Sequence, residues 1–91
     1  MSSAVRQNPA RSRFELDADG ATAFAYYRLG DGVMTFHHTE TPFHLQGRGI
    51  ASRLVRGALE QARAQQLKVA PRCSFVASYM ARHPEFNDML A

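Results

Sequence analysis

The feature that most constrains the fold is the stretch "HLQGRGIASRLVRGALEQA", residues 44–62, in which two glycines precede a run with helical spacing. The apolar residues of that run recur at steps of one, three and four positions, which places them on one face of an α-helix. They are Ile50, Leu54, Val55, Ala58, Leu59 and Ala62. A chain of 91 residues has room for one core and one site, so we expect this helix face to belong to that core.

Three runs before the helix predict β-strands. The run "RFELDADG" alternates apolar and polar residues and breaks at Asp19-Gly20, a pair that tolerates the positive φ of a hairpin turn. The run "ATAFAYYRL" ends at a second turn signal, "GDG", and "VMTFHHTE" ends before Pro42. Three such runs in succession predict an antiparallel meander.

Two further elements follow the helix. The segment "LKVAPRCSF" predicts a short strand, and "SFVASYMARHPEF" predicts a second, shorter helix that Pro84 ends. The predicted fold is therefore mixed α/β (α+β), with a three-stranded antiparallel meander followed by helix, strand and helix. Residues 14–91 are predicted to form this single domain. We predict that residues 1–13 form a flexible leader, because they hold too little apolar surface to offset the entropy lost when a chain segment becomes ordered.

Composition narrows the class of partner. The net charge of +3 favours an anionic partner, which could be a nucleotide-like cofactor, a nucleic acid or an acidic protein. The one cysteine, Cys73, excludes an internal disulfide and a multi-cysteine metal site. His37 and His38 adjoin in a predicted strand and are expected to face opposite ways, so no metal site is predicted. The sequence shows no apolar stretch of the length of a secretory signal or membrane span, so we expect a cytoplasmic location.

The glycine pair predicts an anion site. The first amides of a helix have no internal partner and carry a partial positive charge, and glycines let an anion approach the backbone closely. A dinucleotide-binding turn would need a third glycine where Ser52 stands, and a P-loop would need Lys-Ser or Lys-Thr after the glycines. Gln46, Gly49 and Ala51 instead form the pattern Q-x-x-G-x-A.

This pattern resembles the pyrophosphate-binding signature of the GNAT-type N-acetyltransferase superfamily, whose members cradle coenzyme A at this turn. The strands before it, the helix after it and the later strand and helix follow the order of that superfamily's central portion. Over residues 14–90 the chain is similar to the very small GNAT-like family, which has one cysteine near the acetyl group.

The resemblance implies acetyl-CoA as cosubstrate and, as acceptor, an unidentified amine on a small molecule or an exposed macromolecular segment. The third strand of the meander would pair with the pantetheine arm, and residues 47–52 would hold the pyrophosphate. The short strand at residues 68–70 would splay away from that strand and open a slot for the thioester. The implied cofactor-binding residues are His38, Thr39, Glu40, Gln46, Gly47, Arg48, Gly49, Ile50, Ala51, Ser52 and Cys73.

The candidates for catalysis lie on the third predicted strand and around the second predicted helix. The resemblance implies that Cys73 carries the acetyl group as an acyl-enzyme before the amine takes it. Glu40 and His38 share a strand face and are the nearest candidates for the base, which is needed because an alkylamine with a pKa of about 10 is mostly protonated at neutral pH. The resemblance also implies that Tyr79 protonates the leaving thiolate, whereas packing of the second helix on the sheet is an alternative role for its ring.

Two other functions stay open at this point. A catalytically idle CoA-binding module would keep the same turn without serving an acceptor. A helix-hairpin-helix DNA-binding motif also has a glycine turn before a helix, with Arg48, Arg53 and Arg56 as candidate phosphate contacts. That motif needs a helix before the turn, whereas the residues there alternate like a strand and include Pro42, so DNA binding is disfavoured.

Overall fold

A five-stranded sheet carries the helices on one face. The computed structural model describes residues 4–91 of the chain. The strands are β1 (Arg6–Asn8), β2 (Arg13–Ala18), β3 (Ala21–Gly30), β4 (Val33–Glu40) and β5 (Lys68–Pro71). The α-helices are α1 (Ile50–Ala64) and α2 (Ser74–Arg82), and short 3₁₀ turns occupy Pro9–Arg11, Phe43–Leu45 and Pro84–Met89.

The strands lie in chain order across the sheet, from β1 at one edge to β5 at the other. The first four run antiparallel to their neighbours, and β5 runs parallel to β4 after the crossover through α1. Asp19 and Gly20 turn between β2 and β3 with positive φ values of 49° and 77°, as the hairpin signal predicts. The predicted meander, helix, strand and helix are confirmed, with one additional strand before them.

The apolar face of α1 packs on the sheet as its spacing predicts. All six residues of the predicted helix face are buried, together with the sheet residues that alternate toward them. Those sheet residues are Phe14, Leu16, Ala23, Ala25, Tyr27, Met34 and Phe36. Phe14 lies at the centre, with ring centroids 5.4 Å from Tyr27 and 6.1 Å from Phe36. The opposite face of the sheet has no helix on it within residues 4–91, since both helices share one core with the inner face.

The structure differs from the expectation of a flexible leader at residues 1–13. Residues 1–3 lie outside the described residues, but Val5 is buried and Arg6–Asn8 pair with β2. The Gln61 side chain of α1 donates a hydrogen bond of 2.7 Å to the Val5 carbonyl. The prediction relied on the low apolar content of these residues, but polar contacts hold this edge strand in place.

Glu15 is the centre of those polar contacts. Its carboxylate is buried on the helix-free face, where it accepts hydrogen bonds from Asn8 (3.0 Å) and Arg13 (2.7 Å) and pairs with Arg6 at 2.8 Å. The hydrogen bond from Asn8, followed by that from Arg13, lowers the pKa of Glu15 below its ordinary value of 4.5. Two of its three partners belong to β1, so this carboxylate ties β1 to the sheet.

We predict that Glu15→Gln lowers the free energy of unfolding at pH 7 by about 1–2 kcal/mol, because the charged hydrogen bonds to β1 are lost. Because the pKa of Glu15 is lowered in the folded state, its carboxylate stabilises the fold at pH values above the ordinary pKa of 4.5. This stabilisation disappears as the pH falls through the pKa of the folded state. Urea unfolding at pH 7 and at pH 3 should therefore show that acidification lowers the free energy of unfolding less in the variant than in the parent chain. Glu60→Gln, at an exposed position on α1, is the control and should leave both values near those of the parent chain. Equal acid sensitivity of Glu15→Gln and the parent would contradict the assignment.

Candidate active site

The hydrogen bonding between β4 and β5 stops half-way along β4. The two strands pair in parallel only from Val33 opposite Lys68 to Phe36 opposite Pro71. Beyond that point the amides of Arg72 and Cys73 both donate to the Phe36 carbonyl, at 2.9 and 3.0 Å, and the chain turns into α2. The rest of β4, residues 37–40, therefore extends past the end of β5 and leaves a gap between the two chain segments.

A β-bulge at His37 changes which side chains of β4 face the core. Tyr26 lies opposite His38 and Tyr27 lies opposite Phe36, so His37 is an extra residue in β4. The prediction that the two adjacent histidines face opposite ways is wrong. Both rings lie on the helix-free face beside Tyr26, with centroid distances of 6.4 Å for His37 and 5.8 Å for His38.

The glycine loop and the first turn of α1 form one wall of the candidate site. Gly47 and Gly49 have φ values of +79° and +74°, in the left-handed region that favours glycine. A Cβ atom added at either glycine would meet nothing within 4 Å, so the backbone conformation and not crowding requires glycine there. Gly49 is the N-cap residue of α1 and provides no side-chain cap. The amides at the start of α1 are therefore available to an anion.

A cavity of about 510 Å³ lies against these amides and against the free end of β4. It is lined by Thr39, Thr41, Leu45, Gln46, Gly47, Gly49, Ile50, Ala51, Ser52 and Phe75. Seven of the eleven predicted cofactor residues belong to this lining, and all seven come from the end of β4, the glycine loop or the first turn of α1. Thus one cavity brings together the glycine signature and the strand before it.

Four predicted cofactor residues lie outside that lining. The Arg48 guanidinium forms an ion pair with Asp19 of the β2–β3 turn, at 2.6 Å. Cys73 is next to a lining residue, with its Sγ 3.7 Å from the Thr39 Oγ1 atom. His38 and Glu40 face the helix-free side, where His38 Nε2 and Glu40 Oε2 are 3.1 Å apart. The prediction that these two residues share a strand face is confirmed.

Tyr79 does not join the candidate site. Its side chain is buried, its ring stacks on His83 with a centroid distance of 3.8 Å, and it lies 6.3 Å from the Phe86 ring. It is absent from the lining of the cavity beside the glycine loop. The packing role therefore fits this tyrosine better than the role of catalytic acid.

Three lining residues were missed from the sequence. Thr41 follows the predicted strand, and Leu45 shares its loop with Phe43, so apolar character alone does not reveal that Leu45 is the buried one of the two. Phe75 follows Cys73 by two positions, in the first turn of α2. Its place in the cavity depends on how α2 crosses the end of β4, which spacing along the chain does not reveal.

Residues 4–91 contain no group of three or more His, Cys, Asp or Glu side chains that could hold a metal ion. No helix in the described part of the chain has both the length and the apolar character needed to cross a membrane. The helix-hairpin-helix alternative does not fit, because β4 and a single 3₁₀ turn precede the glycines where that motif needs an α-helix.

Comparison with known proteins decides the family. A family model described as GCN5-related N-acetyl-transferase matches residues 13–89. The chain belongs to the GCN5-related N-acetyltransferase family. It is therefore an acyltransferase domain by class, and members of this family generally use acetyl-CoA as cosubstrate.

Individual relatives agree with this assignment. Protein NATD1 from mouse is 28% identical over 83 residues, which cover 88% of this chain and 76% of that protein. Protein NATD1 from human is also 28% identical over 83 residues, which cover 74% of that protein. The solution NMR structure of a GCN5-like protein from Staphylococcus aureus superposes with a TM-score of 0.69 at 25% identity, covering 100% of this chain and 91% of that one. The fold is thus that of a small member of the family.

The left-handed conformation of Gly49 can be tested by substitution. We predict that Gly49→Ala lowers the free energy of unfolding by about 1–2 kcal/mol, because alanine at a φ of +74° is strained. Gly30→Ala is the matched control, since a Cβ there also meets nothing within 4 Å and Gly30 is not among the glycines with positive φ. Urea unfolding of both variants measures the difference. Equal stability of the two variants would show that residue 49 does not need the left-handed conformation.

Proposed function

We propose that the protein binds acetyl-CoA in the cavity beside the glycine loop and transfers the acetyl group to an amine. The single observation that carries the proposal is the position of the uncapped first turn of α1, which lines the same cavity as the free end of β4. A pyrophosphate needs amide donors that have no other partner, and the first turn of a long helix supplies them.

The residues present fit the rest of the cosubstrate as well. Residues 37–40 extend beyond β5, so the backbone edge of β4 that faces β5 is available to the amide groups of a pantetheine arm. Phe75 and Leu45 add apolar surface to the cavity, while Thr39 and Thr41 add hydroxyl groups. The open space above Gly47 and Gly49 lets phosphate oxygens approach the main chain.

Acetyl-CoA would supply an activated acetyl thioester. In the transfer, the nitrogen of a neutral amine forms a bond to the acetyl carbon, the carbon–sulfur bond breaks, and the CoA sulfur takes up a proton. An amine that arrives as an ammonium ion must first lose a proton to a base. Glu40, in contact with His38 at 3.1 Å, lies on β4 next to the cavity residue Thr39 and is the candidate for that role.

Cys73 offers a second route through the protein itself. Its Sγ lies 3.7 Å from Oγ1 of Thr39, which lines the cavity, and the residue is half-buried at the N-cap of α2. In this route the Cys73 sulfur takes the acetyl group and CoA leaves as the thiol. The amine then attacks the acetyl-cysteine thioester and restores the free thiol.

The anion site is tested by placing a negative charge in it. We predict that Ser52→Asp weakens CoA binding about tenfold or more, because the added carboxylate repels the pyrophosphate at the helix start. The fold should persist, since an acidic residue in the first turn is favourable to a helix. Gln66→Glu adds the same charge at an exposed position beyond the other end of α1 and serves as the control. Calorimetric titration measures the CoA affinity of both variants. If Ser52→Asp binds CoA as tightly as Gln66→Glu does, the pyrophosphate does not bind at this turn.

The cysteine route is tested by mass spectrometry. We expect the protein incubated with acetyl-CoA alone to gain one acetyl group, and the Cys73→Ala variant to gain none while it still binds CoA. A parent chain that binds CoA and gains no mass would exclude the cysteine route and leave direct transfer. A protein that binds neither acetyl-CoA nor CoA would overturn the proposed function as a whole.

A further inference from the structure

The protein has two Asp-Gly hairpin turns with the same backbone conformation, one at each end of β3. Asp19 and Gly20 have φ values of 49° and 77°, and Asp31 and Gly32 have φ values of 54° and 75°. The Asp19 carboxylate forms an ion pair with Arg48, whereas the Asp31 carboxylate has no ion pair or hydrogen bond within residues 4–91. The turn itself therefore does not need a partner for its carboxylate, and the contact of Asp19 with Arg48 has another role.

This ion pair joins the β2–β3 turn to the glycine loop. The Oδ2 atom of Asp19 lies 2.6 Å from Nη2 of Arg48. Arg48 stands between Gly47 and Gly49, which both line the cavity beside the start of α1, but Arg48 itself is not part of that lining. Asp19 thus holds a guanidinium outside the cavity, although the guanidinium belongs to the loop in which we propose that pyrophosphate binds.

The ion pair is weak enough to be exchanged for a stronger one. The side chains of Arg48 and Asp19 are 53% and 56% exposed, and water and salt screen ion pairs at such positions. A pyrophosphate carries more negative charge than one carboxylate and offers several oxygens to a guanidinium. In the proposed site it would also be held by the amides at the start of α1. The Arg48 side chain has several rotatable bonds, so its guanidinium can turn toward the cavity while the loop backbone stays in place.

We propose that Asp19 competes with the CoA pyrophosphate for Arg48: it holds the guanidinium outside the cavity, and the pyrophosphate takes the guanidinium over on binding. The proposal rests on the proposed function and adds Asp19 to it as a positioning residue that acts through Arg48. Because the ion pair must break, Asp19 weakens the binding of acetyl-CoA and of CoA to the same extent. Since the product keeps the pyrophosphate, Asp19 also makes the release of CoA faster.

The first test removes the competing charge. Asp19→Asn should tighten CoA binding about three- to fivefold, because Arg48 no longer has to leave a carboxylate. Asparagine tolerates a positive φ, so the turn should keep its shape. Asp31→Asn makes the same change in the matching turn and should leave the affinity at the value of the parent chain. Calorimetric titration with CoA measures all three proteins, and stopped-flow displacement should show slower release of CoA from Asp19→Asn.

A second background separates the exchange from a general effect of charge. Arg48→Gln should weaken CoA binding about fivefold, because the contact with the pyrophosphate is lost. In that background Asp19→Asn should change the affinity very little, since there is no guanidinium to release. A purely structural role of Asp19 would weaken binding in both backgrounds, and a long-range effect of its charge would tighten binding equally in both.

The outcomes separate this proposal from the proposed function. If CoA binds but Asp19→Asn does not tighten it, or tightens it equally in both backgrounds, the competition is overturned and the proposed function stands. Asp19→Gly also suits the positive φ and should reproduce the result of Asp19→Asn, and circular dichroism melting confirms that each variant is folded. If the parent chain does not bind CoA, the proposed function fails. Titration of the same proteins with inorganic pyrophosphate then decides the competition, and any pattern other than the one expected for CoA overturns it.

Discussion

The early end of the β4–β5 pairing is the constraint on which the rest of the site depends. Pro71 has no amide hydrogen and closes β5, after which the amides of Arg72 and Cys73 converge on the single carbonyl of Phe36. The bulge at His37 falls at the same level of β4. These two features together release the last residues of β4 from the sheet edge on one side and turn Thr39 toward the core side, where it meets Cys73.

That gap lies beside the start of α1. α1 is the crossover between the parallel strands β4 and β5, and the two left-handed glycines lead the chain from the end of β4 into the start of α1 without a side-chain cap. The uncapped first turn of α1 and the free edge of β4 both border the same cavity. Buried polar groups normally have hydrogen-bond partners, and under the proposed function the bound cosubstrate would provide them here.

The sequence predicts those parts of the fold that depend on periodicity or on a local turn. The face of α1 from Ile50 to Ala62, the Asp19-Gly20 turn and the glycine loop are all of this kind, and the structure confirms each element. The errors concern contacts between distant segments. β1 is held by Glu15, the bulge at His37 follows from pairing with β3, and the ion pair between Arg48 and Asp19 joins residues 29 positions apart. No local pattern encodes these contacts.

The use of one sheet face for the core leaves the other face open. Within residues 4–91 the α-helices are α1 and α2, and both contribute to the same core on one face of the sheet. The other face must then be stabilised by polar contacts, such as those of Glu15, and it stays accessible. The free end of β4 is therefore bordered by the cavity beside α1 on one side and by the open face of the sheet on the other, which gives the proposed transfer two directions of approach.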